Sequence, residues 1–146
     1  MAWIMQEPLS VWNPIQTLGH QVKEAYYCHK PHDPLSQFLQ RVAELVDLLG
    51  LPSYEAWVNA YPDELSGGQR QRLLMLMALL HKPEVLLADE PTTALDRLHQ
   101  RQCLDQIRLL KHEGMAIVLV THDLRMVGEY ADRIVILKSG RLIETG

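Results

Sequence analysis

Two cysteines, Cys28 and Cys103, are too few for a disulfide framework, so a reducing environment is the default. Long apolar runs are missing as well. The longest, Leu73 to Leu80, falls far short of the roughly 18–20 residues that cross a bilayer, and any membrane role is expected to run through a partner. Met1-Ala2-Trp3-Ile4-Met5 lacks a charged n-region and is too short for a cleavable signal, so none is expected. Basic charge is scarce: 14 Lys and Arg against 18 Asp and Glu give a formal net charge of −4, which argues against a nucleic-acid partner. The phosphate-cradling pattern G-x-x-x-x-G-K-[ST] occurs nowhere, because Lys30, Lys82, Lys111 and Lys138 all stand outside that frame. Repeats, low-complexity segments and interdomain linkers are absent too.

The 146 residues that remain, 47% of them hydrophobic, suffice for one globular domain with its own core. Met1 to Met5 reads as a buried strand stopped by Gln6-Glu7-Pro8. Pro8, Pro14, Pro31 and Pro34 mark mostly loop, with a short helix around Thr17 to Tyr27. Leu35, Phe38, Leu39, Val42, Leu45, Val46 and Leu49 share one helical face, and Gly50 supplies the stop. A second short helix is expected over Tyr54 to Ala60. Further on the rhythm becomes regular. A helix over Gly67 to His81 precedes a strand over Val85 to Ala88, and a helix over Asp96 to His112 precedes a strand over Ala116 to Val120. A short helix to Ala131 and two strands, Ile134 to Leu137 and Leu142 to Thr145, complete the pattern. Strands alternating with crossover-length helices predict an α/β fold with a mostly parallel sheet and helices on its faces. The last pair is spaced to form an antiparallel hairpin at the edge.

Three places carry chemistry. Ser66-Gly67-Gly68-Gln69 opens a helix, where backbone N–H groups and the helix dipole suit an anion. Asp89-Glu90 follows one apolar strand and Thr121-His122-Asp123 another, at the carboxyl ends where open α/β sheets bind ligands. A carboxylate there offers hard oxygens to a magnesium ion. Glu90 beside it could polarise a water, and His122 could reach a phosphate oxygen. Taken singly, each pair reads equally well as polar residues where strands meet solvent. Asp96, before a long helix, is a good N-cap. Cys28-His29-Lys30-Pro31-His32 does not match a recognised metal site.

In this order, Gln6, Leu65-Ser66-Gly67-Gly68-Gln69, Val85-Leu86-Leu87-Ala88-Asp89-Glu90, Ala94-Leu95-Asp96 and His122 resemble the nucleotide-binding domain of ABC transporters. They correspond to its Q-loop, signature motif, Walker B with catalytic glutamate, D-loop and switch histidine. Gln6-Glu7-Pro8 with Asn13-Pro14, Tyr61-Pro62 before LSGGQRQR, and ADEPTTALD at 88–96 look like the ATPase subunits of peptide and nickel importers. Val11-Trp12 departs slightly from that subfamily.

The resemblance implies a P-loop NTPase-type sheet with a helical signature subdomain over about 15–82, and 1–14 with 83–146 in the catalytic core. It also implies ATP and Mg2+ as ligands, with Asp89 and Gln6 at the metal and Glu90 and His122 catalytic. Ser66, Gly67, Gly68 and Gln69 would cap nucleotide held by a second ATPase subunit, which Asp96 would also meet. Implied partners are that subunit, transmembrane permease subunits and an extracytoplasmic substrate-binding protein, with the ATPase on the cytoplasmic face of the membrane. The Walker A loop lies upstream of the Q-loop in the family, so this chain is expected to be the later part of such a domain and inactive alone. A non-transport ABC ATPase, or a catalytically dead interaction module, stand as alternatives.

Overall fold

The computed structural model describes residues 1–5, 11–92 and 96–146. β1 (Ala2–Ile4), β2 (Val85–Asp89) and β3 (Ala116–Val120) run parallel, in the order β1-β2-β3. Strand side chains alternate between faces, so the register sorts them into two rows. Ile4, Ala88 and Leu119 lie side by side in one row, with Ala2, Leu86 and Ile117 beside them. Ile4, Leu86 and Ala88 are buried. The other row, Trp3-Leu87-Val118, faces away from the core, and Trp3 and Val118 are 56% and 51% exposed. The row that faces the core is the one that α-helices cover most closely among the described residues.

The covered face is filled by α4 (Gly67–Leu79) and α5 (Arg97–His112). The first buries Leu73, Met75, Leu76 and Leu79, and the second Cys103, Leu104, Ile107 and Leu110. α2 (Leu35–Leu49) packs its apolar stripe (Phe38, Val42, Leu45, Val46, Leu49) into the same core. Gly50, at φ 59°, ends α2 in the left-handed conformation, and the Leu51 N–H returns to the Val46 carbonyl at 3.0 Å, the closure of a Schellman motif. At the far end of α4, Arg41 of α2 donates to the carbonyls of Leu79 (2.7 Å) and Leu80 (3.2 Å) while pairing with Glu44.

α1 (Leu18–Tyr27) begins without a side-chain cap. Its first N–H groups, from Leu18 and Gly19, donate instead to the carbonyls of Ala60 and Val58, just past α3 (Tyr54–Trp57). Tyr26, Phe38, Tyr54 and Trp57 then form a chain of edge-on aromatic contacts. Two differences from the sequence pattern stand out. Pro62–Glu64 forms a 3₁₀ turn, fixed by the Glu64 carboxylate accepting from the Tyr61 N–H at 2.6 Å. The hairpin of β4 (Val135–Lys138) and β5 (Arg141–Thr145) is antiparallel as expected, but it is a separate sheet and does not extend β3. After α6 (Leu124–Tyr130), the Tyr130 hydroxyl bonds Asp105 and Lys111 bonds Asp132, which ties the lead-in to α5 instead of the sheet edge. Ser139 and Gly140, both at positive φ, make the tight turn.

Candidate functional site

The carboxyl ends of β2 and β3 meet because Asp89 pairs in register with Val120. Immediately beyond, Glu90 takes φ 45°, a left-handed conformation that costs a non-glycine residue roughly 1–3 kcal/mol. Its N–H donates to the Val120 carbonyl at 2.9 Å, which holds it there. The result is that Glu90 Oε1 stands 2.8 Å from His122 Nδ1, although 31 residues separate them in the chain. Glu90 is largely shielded and His122 lies in solvent. The Glu90 hydrogen bond, helped by its negative charge, raises the His122 pKa above its ordinary value. A carboxylate in this setting can accept a proton from a water, and the imidazolium beside it can donate to an anionic oxygen. Asp89 sits half-buried next to the pair, and Thr121 Oγ1 accepts from the Asp123 N–H.

The start of α4 is built differently. Ser66 Oγ accepts from the Gln69 N–H at 3.3 Å and Gln69 Oε1 from the Ser66 N–H at 3.0 Å, a reciprocal capping box. Ser66 and Gln69 thus engage each other and not Glu90 or His122. The two glycines are not equivalent. A Cβ on Gly67 would meet nothing within 4 Å, which leaves this backbone open to an approaching ligand. A Cβ on Gly68 would lie 2.6 Å from the His99 ring of α5. The Gly68 position is therefore required by helix packing inside the chain, a use that motif reading did not foresee.

Asp96 caps α5 as expected, accepting from the His99 N–H at 3.0 Å, and its other oxygen holds His99 Nδ1 at 2.7 Å. These bonds, the backbone one foremost, lower the Asp96 pKa. Gln6, Ala94 and Leu95 lie outside the described residues.

Two further residues converge on the turn after Glu90. Gln71, one helical turn past Gly68 and buried, donates from Nε2 to the Pro91 carbonyl at 2.9 Å. Gln100 of α5 donates to the Thr92 carbonyl at 3.1 Å. Gln71 Oε1 is buried with no partner among the described residues, which costs about 1–3 kcal/mol. Among the described residues no three His, Cys, Asp or Glu side chains gather as a metal site, and Cys28-His29-Lys30-Pro31-His32 supplies none.

A parallel sheet carrying acid and imidazole at adjacent strand ends, with a glycine-started helix packed beside them, is the architecture of an ATP-binding cassette. The ABC transporter family profile matches residues 1–93, and the chain belongs to that family. It is 43% identical, over 98% of its length, to a putative peptide import ATP-binding protein of Brucella ovis, and covers 42% of that protein. It is 40% identical, over its full length, to the dipeptide transport ATP-binding protein DppD of Haemophilus influenzae, and covers 44% of it. The chain thus spans less than half the length of these curated relatives. It superimposes with a TM-score of 0.81 on the dimeric bacterial ABC transporter cassette MJ0796, at 27% identity, covering 100% of this chain and 62% of that one. A post-hydrolysis structure of the same cassette, bound to ADP and Pi, gives a TM-score of 0.80 at 27% identity over 99% of this chain and 61% of that one.

Proposed function

We propose that this chain is part of the ATP-hydrolysing subunit of an ABC importer and that the subunit drives peptide uptake. The observation that carries the reading is the Glu90–His122 pair at the joined ends of β2 and β3, held by a strained backbone. The peptide class rests on the names of the Brucella and Haemophilus relatives. In this reading Glu90 takes the proton of the attacking water, and His122 orients that carboxylate and faces the phosphate being released. Ser66 and the open backbone at Gly67 hold phosphate oxygens of nucleotide bound by a second subunit. Gly68 lets α4 lie close to α5, and Gln69 keeps the Ser66 end of α4 in shape. Asp96 joins the subunit contact while capping its own helix.

The donor set at the strand ends fits a magnesium ion: Asp89 is a half-buried carboxylate with hard oxygens, and Gln6 would add an amide oxygen. Such an ion would neutralise charge on the transferring phosphate. Residues of about 15–82 act as the helical subdomain, and 1–14 with 83–146 belong to the catalytic core. No described helix is long and apolar enough to cross a membrane. In this reading the subunit works at the cytoplasmic face through permease subunits, which receive cargo from an extracytoplasmic binding protein.

The test is Glu90→Gln in the intact subunit. ATP binding should persist while turnover drops about 10²–10⁴-fold, the usual loss on removing a positioned base. Turnover at the parent rate would refute the role of Glu90.

A further inference from the structure

The turn after Glu90 is held by two side-chain amides from two different helices; Gln71 falls within the LSGGQRQR string, to which the resemblance attached no role for it, and Gln100 falls outside every motif. Pro91 has no N–H to donate, so its own backbone can be gripped only through its carbonyl. Gln71 Nε2 takes the Pro91 carbonyl at 2.9 Å, and Gln100 Nε2 takes the Thr92 carbonyl at 3.1 Å. Only the donor end of each amide can face a carbonyl, which fixes both orientations. Glu90 immediately before them holds φ 45°, a conformation that relaxes unless its surroundings over-determine it. Gln71 keeps its place even though its other amide atom is buried without a partner among the described residues. An apolar residue there would avoid that cost only by stranding the Pro91 carbonyl, so what the glutamine secures is its grip on this turn.

We propose that Gln71 and Gln100 are positioning residues that clamp the Pro91–Thr92 turn and so aim the Glu90 carboxylate. This inference rests on the reading of Glu90 as the catalytic base.

The experiment uses the intact subunit in its assembled importer, with magnesium-ATP as the probe. Gln71→Met and Gln100→Met keep side-chain length and remove the donor. Gln100 is only half-buried, so its variant guards against a folding defect at Gln71. Each variant should lower kcat about 10–100-fold, the scale expected when a reacting group is misplaced by an ångström. KM for ATP should stay at its parental value, and each melting temperature should fall only by the few degrees that the loss of one hydrogen bond to a carbonyl costs. In a Glu90→Gln background neither variant should reduce the residual rate further.

Parental kcat in both variants would overturn the clamp. So would a loss that persists undiminished in the Glu90→Gln background, or one matched by an equal rise in KM, since either marks a merely structural role. Parental turnover by Glu90→Gln alone is a separate result: it would remove the assignment of Glu90 itself.

Discussion

Replace Gly68 by alanine and the new methyl carbon lands 2.6 Å from His99 Cδ2 and 3.1 Å from its Nε2. Carbon atoms prefer about 3.5–4.0 Å, so the imidazole has to retreat. It is not free to do so, because Asp96 Oδ2 holds its Nδ1 at 2.7 Å and the Asp96 carboxylate is itself committed to capping α5. Overpacking of this kind costs roughly 1–3 kcal/mol. Gly67 supplies the control: it opens the same helix, and a methyl group there meets nothing within 4 Å. Both substitutions share the gain of about 0.4–1 kcal/mol from a less flexible unfolded chain, so that term cancels in the comparison. Gly68→Ala should therefore be about 1–3 kcal/mol less stable than Gly67→Ala by equilibrium denaturation. Removing the obstacle, as in Gly68→Ala with His99→Ala, should recover most of the difference. Equal stability of the two single variants would refute the packing role. The outcome also decides which glycine can test ligand approach. A bulky residue at Gly68 perturbs α5 before any phosphate is present, whereas Gly67 reports on the ligand alone.

Arg41→Ala should destabilise the protein by about 2 kcal/mol, because the carbonyls of Leu79 and Leu80 lose a charged donor. Arg41→Lys should not restore it, since an ammonium lacks the guanidinium fork that reaches both oxygens. The midpoint of a urea titration measures both. The His122 ring, followed by NMR, should titrate above the ordinary histidine value and fall back toward it in Glu90→Gln. The sign follows from a raised folded pKa: the tie to Glu90 is fully present below the unfolded value and is lost as pH rises through the folded one. An unchanged His122 titration in Glu90→Gln would mean that the 2.8 Å contact is not what holds the proton.

The sequence rhythm located the secondary structure well because each element has a local cause. Val85 to Ala88 and Ala116 to Val120 are apolar runs closed by the polar Asp89 and Thr121, Gly50 can adopt φ 59° where α2 must stop, and Asp96 can cap α5 from its own side chain. The Glu90 and His122 positions were legible as strand tips. Their contact was not, since it depends on the register that sets Asp89 beside Val120. Gln71 and Gln100 escaped for a related reason: a glutamine on a helix looks the same whether it meets water or a buried carbonyl. The hairpin was placed at the sheet edge because two close strands usually extend a neighbour. The bonds of Tyr130 and Asp132 to α5, which carry it elsewhere, join residues far apart in the chain.

Helix α4 is fastened at both extremities. Gln71 fixes its opening turns to the Pro91 carbonyl, and Arg41 fixes its closing carbonyls to α2. Its 13 residues, at about 1.5 Å each, make a rod close to 20 Å long without an internal proline or glycine beyond the first turn. A rod pinned in this way does not absorb a displacement by bending. A push of an ångström at Ser66 arrives as tilt, shared between the strand tips at one end and the α2 layer at the other.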